Sequence, residues 1–374
     1  MRYYCIAGEA SGDLHGANLV RALHQADAEA QIRGWGGPKM QAAGADIVKD
    51  YKALAFMGFV EVALNIRTIL GNFKACKQDI LTFQPDVLIL IDYPGFNLRM
   101  AKWAHQQGIK VFYYISPQLW AWHSSRVKQV RAYVDRMFVI LPFEEDFYRQ
   151  HHVEVDFVGH PLLDALDKLE VDPEFRARHQ LADQPIVAVL PGSRKQEISR
   201  KLPVMTAVAD QFPDHQFVIA GVSSQDKSLY QQHSRGDLPV VVDDTYQLLL
   251  HSEAALVTSG TATLETALLG VPEVVCYKGG ALSYQIGKRL VNVDYISLVN
   301  LIMEQELVTE LIQGEMNPQR VAEELRKLLA PSKAAHLKAQ YKVLREKLGG
   351  VGASQRAAEL MVKKLREADR KTKD

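Results

Sequence analysis

Two short turns in the second half of the chain carry residue types that could hold a phosphate group. Ser259, Gly260 and Thr261 follow an apolar run and precede a helical pattern, so helix-start amides and a positive dipole end are expected there. Arg194 ends a similar turn, residues 191–194, where a guanidinium could grip phosphate through two donors. Both turns predict a phosphate or diphosphate site. A capped helix and a surface arginine are the structural alternatives.

A carboxylate follows the second of these turns at helical spacing. Glu265 lies four residues after Thr261, so the two side chains are expected on one face of the helix. In dinucleotide-binding folds, an acidic residue beyond the phosphate site accepts hydrogen bonds from ribose hydroxyls. We therefore predict that Glu265 binds the ribose of a nucleotide.

The first half of the chain has polar candidates at the ends of its predicted strands. Asp92 ends the nearly continuous apolar run 85–92, which is typical of a central parallel strand, and open α/β sheets bind ligands at that end. The small residues of the turn 8–16, Gly12 among them, would let a ligand approach the backbone. His160 follows another predicted strand. The structural alternatives are a tight turn, a packed histidine and an Asp92 that caps the next helix.

Apolar runs alternate with helical patterns along most of the chain, at residues 3–7, 31–35, 85–92, 110–115, 136–141, 154–158, 185–190, 216–220, 239–242, 254–257 and 273–277. This alternation predicts an α/β fold of two doubly wound, Rossmann-like domains that face a cleft. We expect an N-terminal domain at 1–165, a linker at 166–184, a second domain at 185–330 and C-terminal helices at 331–374. The phosphate-type turns assign a nucleotide donor to the second domain and another substrate to the first.

Composition narrows the range of functions. The 374 residues carry no net formal charge, and the three cysteines are far apart in the sequence, so neither a nucleic-acid partner nor a disulfide framework or zinc site is expected. The chain has no Asp-x-Asp motif. No metal is therefore expected, and Arg194 with a helix dipole could stabilise a departing diphosphate. We find no signal peptide and no apolar run of the ~18 residues that a spanning helix needs, which predicts a soluble or peripheral protein.

Two segments could contact a membrane surface. Residues 53–66 contain a single charged residue, Glu61, and residues 317–374 contain 15 lysines and arginines against 7 acidic residues, a net charge of +8. Together they could provide an apolar and an electrostatic attachment. A core helix and ordinary solvated helices would give the same patterns. The residues expected to contact acyl chains are Phe56, Met57, Phe59 and Val60.

Eight motifs, spread nearly end to end, resemble those of the lipid A disaccharide synthase family. They are AGEASGD at 7–13, MGFVEV at 57–62, SPQLWAW at 116–122, LPFE at 141–144, VGHP at 158–161, LPGSR at 190–194, SGTATLE at 259–265 and YISLVN at 295–300. The resemblance implies a two-domain glycosyltransferase of the GT-B type. It also implies that a UDP-sugar is a substrate and that the protein needs no separate cofactor.

The reaction that the resemblance implies joins two acylated sugars. UDP-2,3-diacylglucosamine would transfer its sugar, with inversion, to the 6-hydroxyl of 2,3-diacylglucosamine 1-phosphate (lipid X), giving a β-1,6 disaccharide and UDP. The resemblance also implies a peripheral protein on the cytoplasmic face of the inner membrane, C-terminal helices that return to the first domain, and a possible swapped homodimer.

Site residues carry over from the resemblance by position. Arg194, Glu265 and Asn300 match the donor-site motifs, and Glu9 and Ser11 match the N-terminal loop. The chain departs from the family pattern in one place: Gly95 stands where several members have an acidic residue.

The role of that acidic residue cannot transfer to Gly95. Inverting transfer needs a base for the acceptor hydroxyl, and Asp92 is our candidate, with His160 and Glu9 as rivals. Two other functions stay open: a UDP-sugar epimerase of similar architecture, which would need no lipid-facing segment, and a non-catalytic nucleotide-sugar-binding protein, which would need no Asp92.

Overall fold

The structure is a computed structural model that describes residues 1–54, 66–122, 126–280 and 294–371. The chain divides into two compact units. The first unit comprises Met1–Asp167 and Leu348–Asp374, and the second comprises Lys168–Lys347. Each unit contains one all-parallel sheet whose strands alternate with helices along the chain. The predicted α/β class is therefore confirmed.

The four residues expected to contact acyl chains, Phe56, Met57, Phe59 and Val60, lie outside the described residues. Among the helices that the structure does describe, none combines the length and apolar character required to cross a membrane.

The first unit contains a seven-stranded sheet of order β3-β2-β1-β4-β5-β6-β7. Its strands are β1 (Arg2–Ala7), β2 (Gln31–Gly36), β3 (Asp46–Asp50), β4 (Val87–Ile91), β5 (Lys110–Tyr114), β6 (Arg136–Val139) and β7 (Val155–Phe157). Its first helices are α1 (Ala10–Ala26), α2 (Pro38–Ala42), α3 (Ile66–Phe83), α4 (Pro94–Gln106), α5 (Leu119–Trp122), α6 (Val127–Tyr133), α7 (Phe143–Gln150) and α8 (Leu162–Leu166).

The second unit contains a six-stranded sheet of order β10-β9-β8-β11-β12-β13. Its strands are β8 (Ile186–Leu190), β9 (Gln216–Gly221), β10 (Val240–Val242), β11 (Ser252–Thr258), β12 (Glu273–Tyr277) and β13 (Glu310–Ile312). Its helices are α9 (Phe175–Arg178), α10 (Lys195–Thr206), α11 (Lys227–His233), α12 (Thr245–Leu250), α13 (Thr261–Leu268), α14 (Leu298–Met303), α15 (Pro318–Leu328) and α16 (Pro331–Lys347).

The order of each sheet reverses at one point. In the first unit, β1 lies between β2 and β4, and in the second unit β8 lies between β9 and β11. Helices that leave the two neighbouring strands at such a point diverge, and the resulting crevice at the carboxyl ends is where doubly wound sheets bind ligands. The carboxyl ends of β1 and β4, and those of β8 and β11, are therefore the places to look for function.

Central strands are easier to predict from the sequence than edge strands, because they are buried on both faces. All five residues of β4 are fully buried, because a central parallel strand is covered on both faces and needs an unbroken apolar run. The edge strand β3 alternates between exposed and half-buried residues and carries charges at both ends, so it lacks that run. The edge strand β13 has only three residues, of which only the middle one is buried, so its pattern is also too short to predict a strand.

The last helix, α17 (Ala353–Lys371), belongs to the first unit and packs against α1. The Asp164 carboxylate holds its start, accepting hydrogen bonds from the backbone amides of Gly352 at 2.6 Å and Ser354 at 2.9 Å. An acidic side chain at a helix N-terminus satisfies amides that have no partner within the helix and complements the helix dipole. The preceding helix, α16, belongs to the second unit.

The polar stretch after α8 belongs to the second unit from Lys168 onward. Its helix α9 contributes Phe175, which is fully buried in the core of that unit together with Ile186. Residues 168–184 therefore pack as part of the second unit.

Candidate active site

In the second unit, the two phosphate-type turns leave adjacent strands at the point where the sheet order reverses. Strand β8 ends at Leu190, which is the register partner of Val257 in β11. Residues 191–194 and 259–261 follow these two strands directly. The structure thus brings Arg194 to the same edge of the sheet as the turn 259–261.

Two glycines give these turns their shape. Gly192 has a φ of +106° and Gly260 a φ of +147°, conformations that L side chains rarely adopt. A Cβ atom on Gly192 would clash with Glu197 Oε2. A Cβ atom on Gly260 would meet no atom of the described residues within 4 Å, so these residues leave this side of the turn 259–261 open to a ligand.

Helix α13 starts immediately after that turn without a side-chain cap. Gly260 is its N-cap residue and provides no side-chain capping bond, so the first amides are suited to an external anion. The Ser259 hydroxyl donates to the Ile296 carbonyl at 3.0 Å. This bond connects the turn to the segment 295–300.

Arg194 is exposed and is the N-cap residue of α10. Its backbone amide donates to Glu197 Oε2 at 3.4 Å, which fixes the turn to the first turn of the helix. The guanidinium therefore extends from a positioned backbone at the carboxyl edge of β8.

Glu265 lies one turn into α13 and is only partly exposed. Its Oε1 accepts a hydrogen bond from the Tyr246 hydroxyl at 3.2 Å. Burial raises the pKa of the Glu265 carboxyl above its ordinary value. Tyr246 was not among the predicted site residues, because no sequence pattern links it to α13.

Asn300 is fully buried, and its amide is used within the protein. Its Nδ2 donates to the Val308 carbonyl at 2.8 Å and to Glu310 Oε1 at 2.9 Å, and its Oδ1 accepts from the Leu307 amide at 2.8 Å. Glu310 also accepts the Ser297 amide at 2.9 Å. Asn300 thus shapes the segment that Ser259 contacts, and direct binding of a ligand would require these bonds to break.

Lys201 is a site-edge residue that the sequence analysis missed. It lies on α10, is only 3% exposed, and its Nζ donates to the hydroxyl of Thr258, the last residue of β11. The signal was present in the helix pattern, because Lys201 falls on the same buried face as Ile198, Leu202 and Met205. A lysine is rarely buried in such an apolar stripe unless its charge is paired.

In the first unit, Glu9 and Asp92 leave adjacent strands. Ala7, the last residue of β1, pairs with Ile91, the last residue of β4, so the residues that follow emerge side by side at the carboxyl edge. The pKa of Asp92 is raised to about 6, mainly by burial and further by the negative charge of Glu9. A carboxyl with that pKa is ionised near neutral pH yet basic enough to accept a proton.

The backbone at Asp92 is held in an uncommon conformation. Asp92 and Tyr93 have φ values of +44° and +50°, which costs on the order of 1–3 kcal/mol for each non-glycine residue. The Asp92 carbonyl accepts hydrogen bonds from Tyr113 Oη at 2.6 Å and Asn97 Nδ2 at 2.7 Å. Since strain of this kind persists only where the surroundings enforce it, the position of Asp92 is a candidate functional feature.

Three neighbouring positions show what surrounds this pair. Ser11 is exposed in the first turn of α1, whereas Gly12 is buried, with the position of its missing Cβ only 3.2 Å from Ala7 Cβ. Gly12 therefore allows α1 to pack closely on β1, as the third glycine of dinucleotide folds does. Gly95 is exposed at the start of α4, and a Cβ there would meet no atom of the described residues within 4 Å.

The structure does not bring His160 to the Glu9–Asp92 pair. It follows the edge strand β7, with β5 and β6 between that strand and β4. Its Nδ1 accepts the Leu162 amide at 3.2 Å, and burial together with His15 lowers its pKa to about 3. His160 is therefore a neutral, buried histidine, and its backbone amide donates to the Leu348 carbonyl at 3.0 Å.

Across the described ranges 1–54, 66–122, 126–280 and 294–371, no group of three or more His, Cys, Asp or Glu side chains is arranged to hold a metal ion.

Solved structures with this architecture define the class of fold. UDP-GlcNAc 2-epimerase from Neisseria meningitidis, solved bound to UDP-GlcNAc, matches with a TM-score of 0.66 at 14% identity, covering 98% of this chain and 100% of that chain. The calicheamicin glycosyltransferase CalG4 matches with a TM-score of 0.59 at 18% identity, covering 98% of each chain. The fold is that of GT-B glycosyltransferases and the epimerases that share their architecture.

Sequence comparison resolves the choice between those groups. The model of the family described as Lipid-A-disaccharide synthetase matches residues 3–364. Lipid-A-disaccharide synthase from Syntrophus aciditrophicus is 43% identical, covering 97% of this chain and 98% of the relative. The enzyme of that name from Geobacter sulfurreducens is 41% identical, covering 97% of each. The chain belongs to the lipid-A-disaccharide synthetase family and is a glycosyltransferase of lipid A biosynthesis, which confirms the family predicted from the sequence motifs.

Proposed function

We propose that this protein transfers 2,3-diacylglucosamine from UDP to the 6-hydroxyl of 2,3-diacylglucosamine 1-phosphate, with inversion, forming the β-1,6 disaccharide and UDP. Membership of the family supports a lipid A glycosyltransferase. The observation that carries the detailed proposal is the pair of turns that leave β8 and β11 at the reversal point of the second sheet. That arrangement suits the diphosphate of a nucleotide sugar.

The donor site uses the second unit. The diphosphate binds the first amides of α13 and the Arg194 guanidinium, and Glu265 accepts hydrogen bonds from the ribose. As the sugar–phosphate bond breaks, Arg194 and the helix dipole stabilise the negative charge on the departing UDP. The proposal includes no metal, and loss of activity in EDTA that magnesium restores would contradict that part of it.

The acceptor chemistry uses the first unit. The oxygen of the acceptor 6-hydroxyl attacks the anomeric carbon on the face opposite UDP, and Asp92 takes the proton of that hydroxyl. The configuration at the anomeric carbon therefore inverts. Burial and, to a smaller extent, the charge of Glu9 raise the pKa of Asp92 to about 6, which suits a general base. Ser11, exposed in the first turn of α1, contacts the acceptor.

We also propose peripheral attachment to the cytoplasmic face of the inner membrane through residues 53–66, assisted by the basic C-terminal region. An apolar segment and a basic region together provide the two signals that stable attachment usually needs. The test is sedimentation with anionic liposomes. The double variant Phe56→Ser, Met57→Ser should lose binding at high salt, where the electrostatic attraction is screened. Unchanged binding of that variant would contradict a role for the segment.

The reaction is tested by incubating the purified protein with both lipid substrates and measuring UDP release and the product mass. We expect UDP and the disaccharide in equal amounts, and no UDP without the acceptor. Isomerised donor in the absence of acceptor would instead indicate an epimerase. Donor binding without any product would indicate a non-catalytic binding protein.

A further inference from the structure

The Lys201 ammonium lies at the carboxyl edge of the second sheet, where the proposed donor site is. Its Nζ donates to Thr258 Oγ1, and Thr258 directly precedes the turn 259–261. The same Nζ lies 5.9 Å from the centre of the Tyr277 ring at the end of β12. The ammonium therefore lies at the ends of two neighbouring strands, β11 and β12, beside the start of the open turn.

Lys201 forms no salt bridge within the described part of the chain, although it is only 3% exposed. Burial lowers the pKa of Lys201, and Glu197 is the acid that opposes this effect most. A hydroxyl and an aromatic ring compensate only part of the free energy required to bury an ammonium. An anion bound beside it would supply the rest.

We propose that Lys201 is a second cationic residue of the donor site, which attracts the diphosphate and stabilises the departing UDP together with Arg194. This inference rests on the proposed function. When the acceptor oxygen bonds to the anomeric carbon, the bond from that carbon to the diphosphate oxygen breaks and its electron pair goes to UDP. Asp92 holds the acceptor proton, so UDP leaves with one more negative charge, which Lys201 and Arg194 stabilise. A metal ion has this role in many other diphosphate sites.

The test compares the affinities of UDP, UMP and uridine for Lys201 variants, by calorimetry for the nucleotides and ligand-observed NMR for uridine. Lys201→Met removes the charge at similar length, and Lys201→Gln removes the charge while keeping a donor for Thr258. Both variants should bind UDP about tenfold or more weakly, UMP less so, and uridine with unchanged affinity, because the lost interaction is with phosphate charge. Arg200→Met, at the exposed neighbouring position, is the matched control and should leave all three affinities unchanged.

The alternatives give different patterns. If Lys201→Gln retains the UDP affinity of the parent, the charge has no role and the proposal fails. If all three ligands weaken by one factor in both variants, Lys201 only shapes the turn and the proposal also fails. Circular dichroism and thermal unfolding confirm that each variant is folded. If the parent protein itself does not bind UDP, the proposed function fails, whatever the variants show.

Discussion

The pairing of Glu9 with Asp92 predicts how activity depends on pH. A general base must be deprotonated, so kcat/KM should fall as pH decreases through the pKa of Asp92, which is about 6 against an ordinary 3.8. Burial is the larger cause of that increase and the Glu9 charge the smaller one. Replacing Glu9 by glutamine should therefore lower the pKa of Asp92 by up to about one pH unit, less than half of the total.

The effect is large enough to measure. At pH 5, about a tenth of Asp92 is ionised if its pKa is 6, and about half if its pKa is 5. Glu9→Gln should therefore keep up to about five times more of its maximal kcat/KM at pH 5 than the parent, with a similar maximum at pH 8. Glu9→Asp retains the charge and is the control, with an unchanged profile.

The assay is UDP release at subsaturating substrates across pH 4.5–9, which reports the pKa values of the free enzyme. An acid limb at the same pH in Glu9→Gln and the parent would refute the coupling between the two carboxyls. A collapse of the maximum at pH 8 would mean that Glu9 itself takes part in the chemistry.

Three further substitutions test other parts of the account. Arg194→Ala should lose about 2–4 kcal/mol of transition-state stabilisation, measured as kcat/KM, and a loss below tenfold would remove Arg194 from the mechanism. Glu265→Gln should weaken UDP binding more than it lowers kcat at saturating donor, and the opposite result would make Glu265 a chemical residue. Glu273, fully buried with neither carboxyl oxygen hydrogen-bonded to a described residue, has a pKa well above its ordinary value. It therefore reduces stability increasingly as pH rises above that ordinary value, by about 1.4 kcal/mol per pH unit until the folded-state pKa is reached. Glu273→Gln should consequently gain stability over the parent between pH 5 and pH 8 in urea unfolding, and a constant difference would contradict the raised pKa.

The sequence predicts those parts of the fold whose local pattern is strong. The fully buried β4 is visible as an apolar run, and the turns at Gly192 and Gly260 are visible because glycine permits their positive φ values. The sequence pattern does not predict the edge strands β3 and β13, because an edge strand is only partly buried and can be short. Their pairing with β2 and β12 depends on contacts distant in sequence.

The sequence likewise predicts some residues of the candidate site and not others. Spacing from a strand end was enough to predict that Asp92 and Arg194 lie at carboxyl edges, since a parallel sheet puts those ends on one side. Spacing was not enough for Asn300, because its side-chain amide forms hydrogen bonds with residues 307–310, which follow it in the chain. Spacing was also not enough for Lys201, because its proposed role depends on a hydrogen bond to Thr258, a residue distant in the sequence.

The most direct test of the account is the turnover number of Asp92→Asn at saturating donor and acceptor, with UDP affinity measured in parallel. The Tyr113 and Asn97 bonds go to the backbone carbonyl of residue 92, so the substitution should remove the base and keep the local conformation. We predict a kcat about 10²–10⁴-fold below that of the parent, with UDP affinity unchanged. A kcat within tenfold of the parent, with His160→Ala or Glu9→Gln inactive instead, would contradict the assignment of Asp92 as the base.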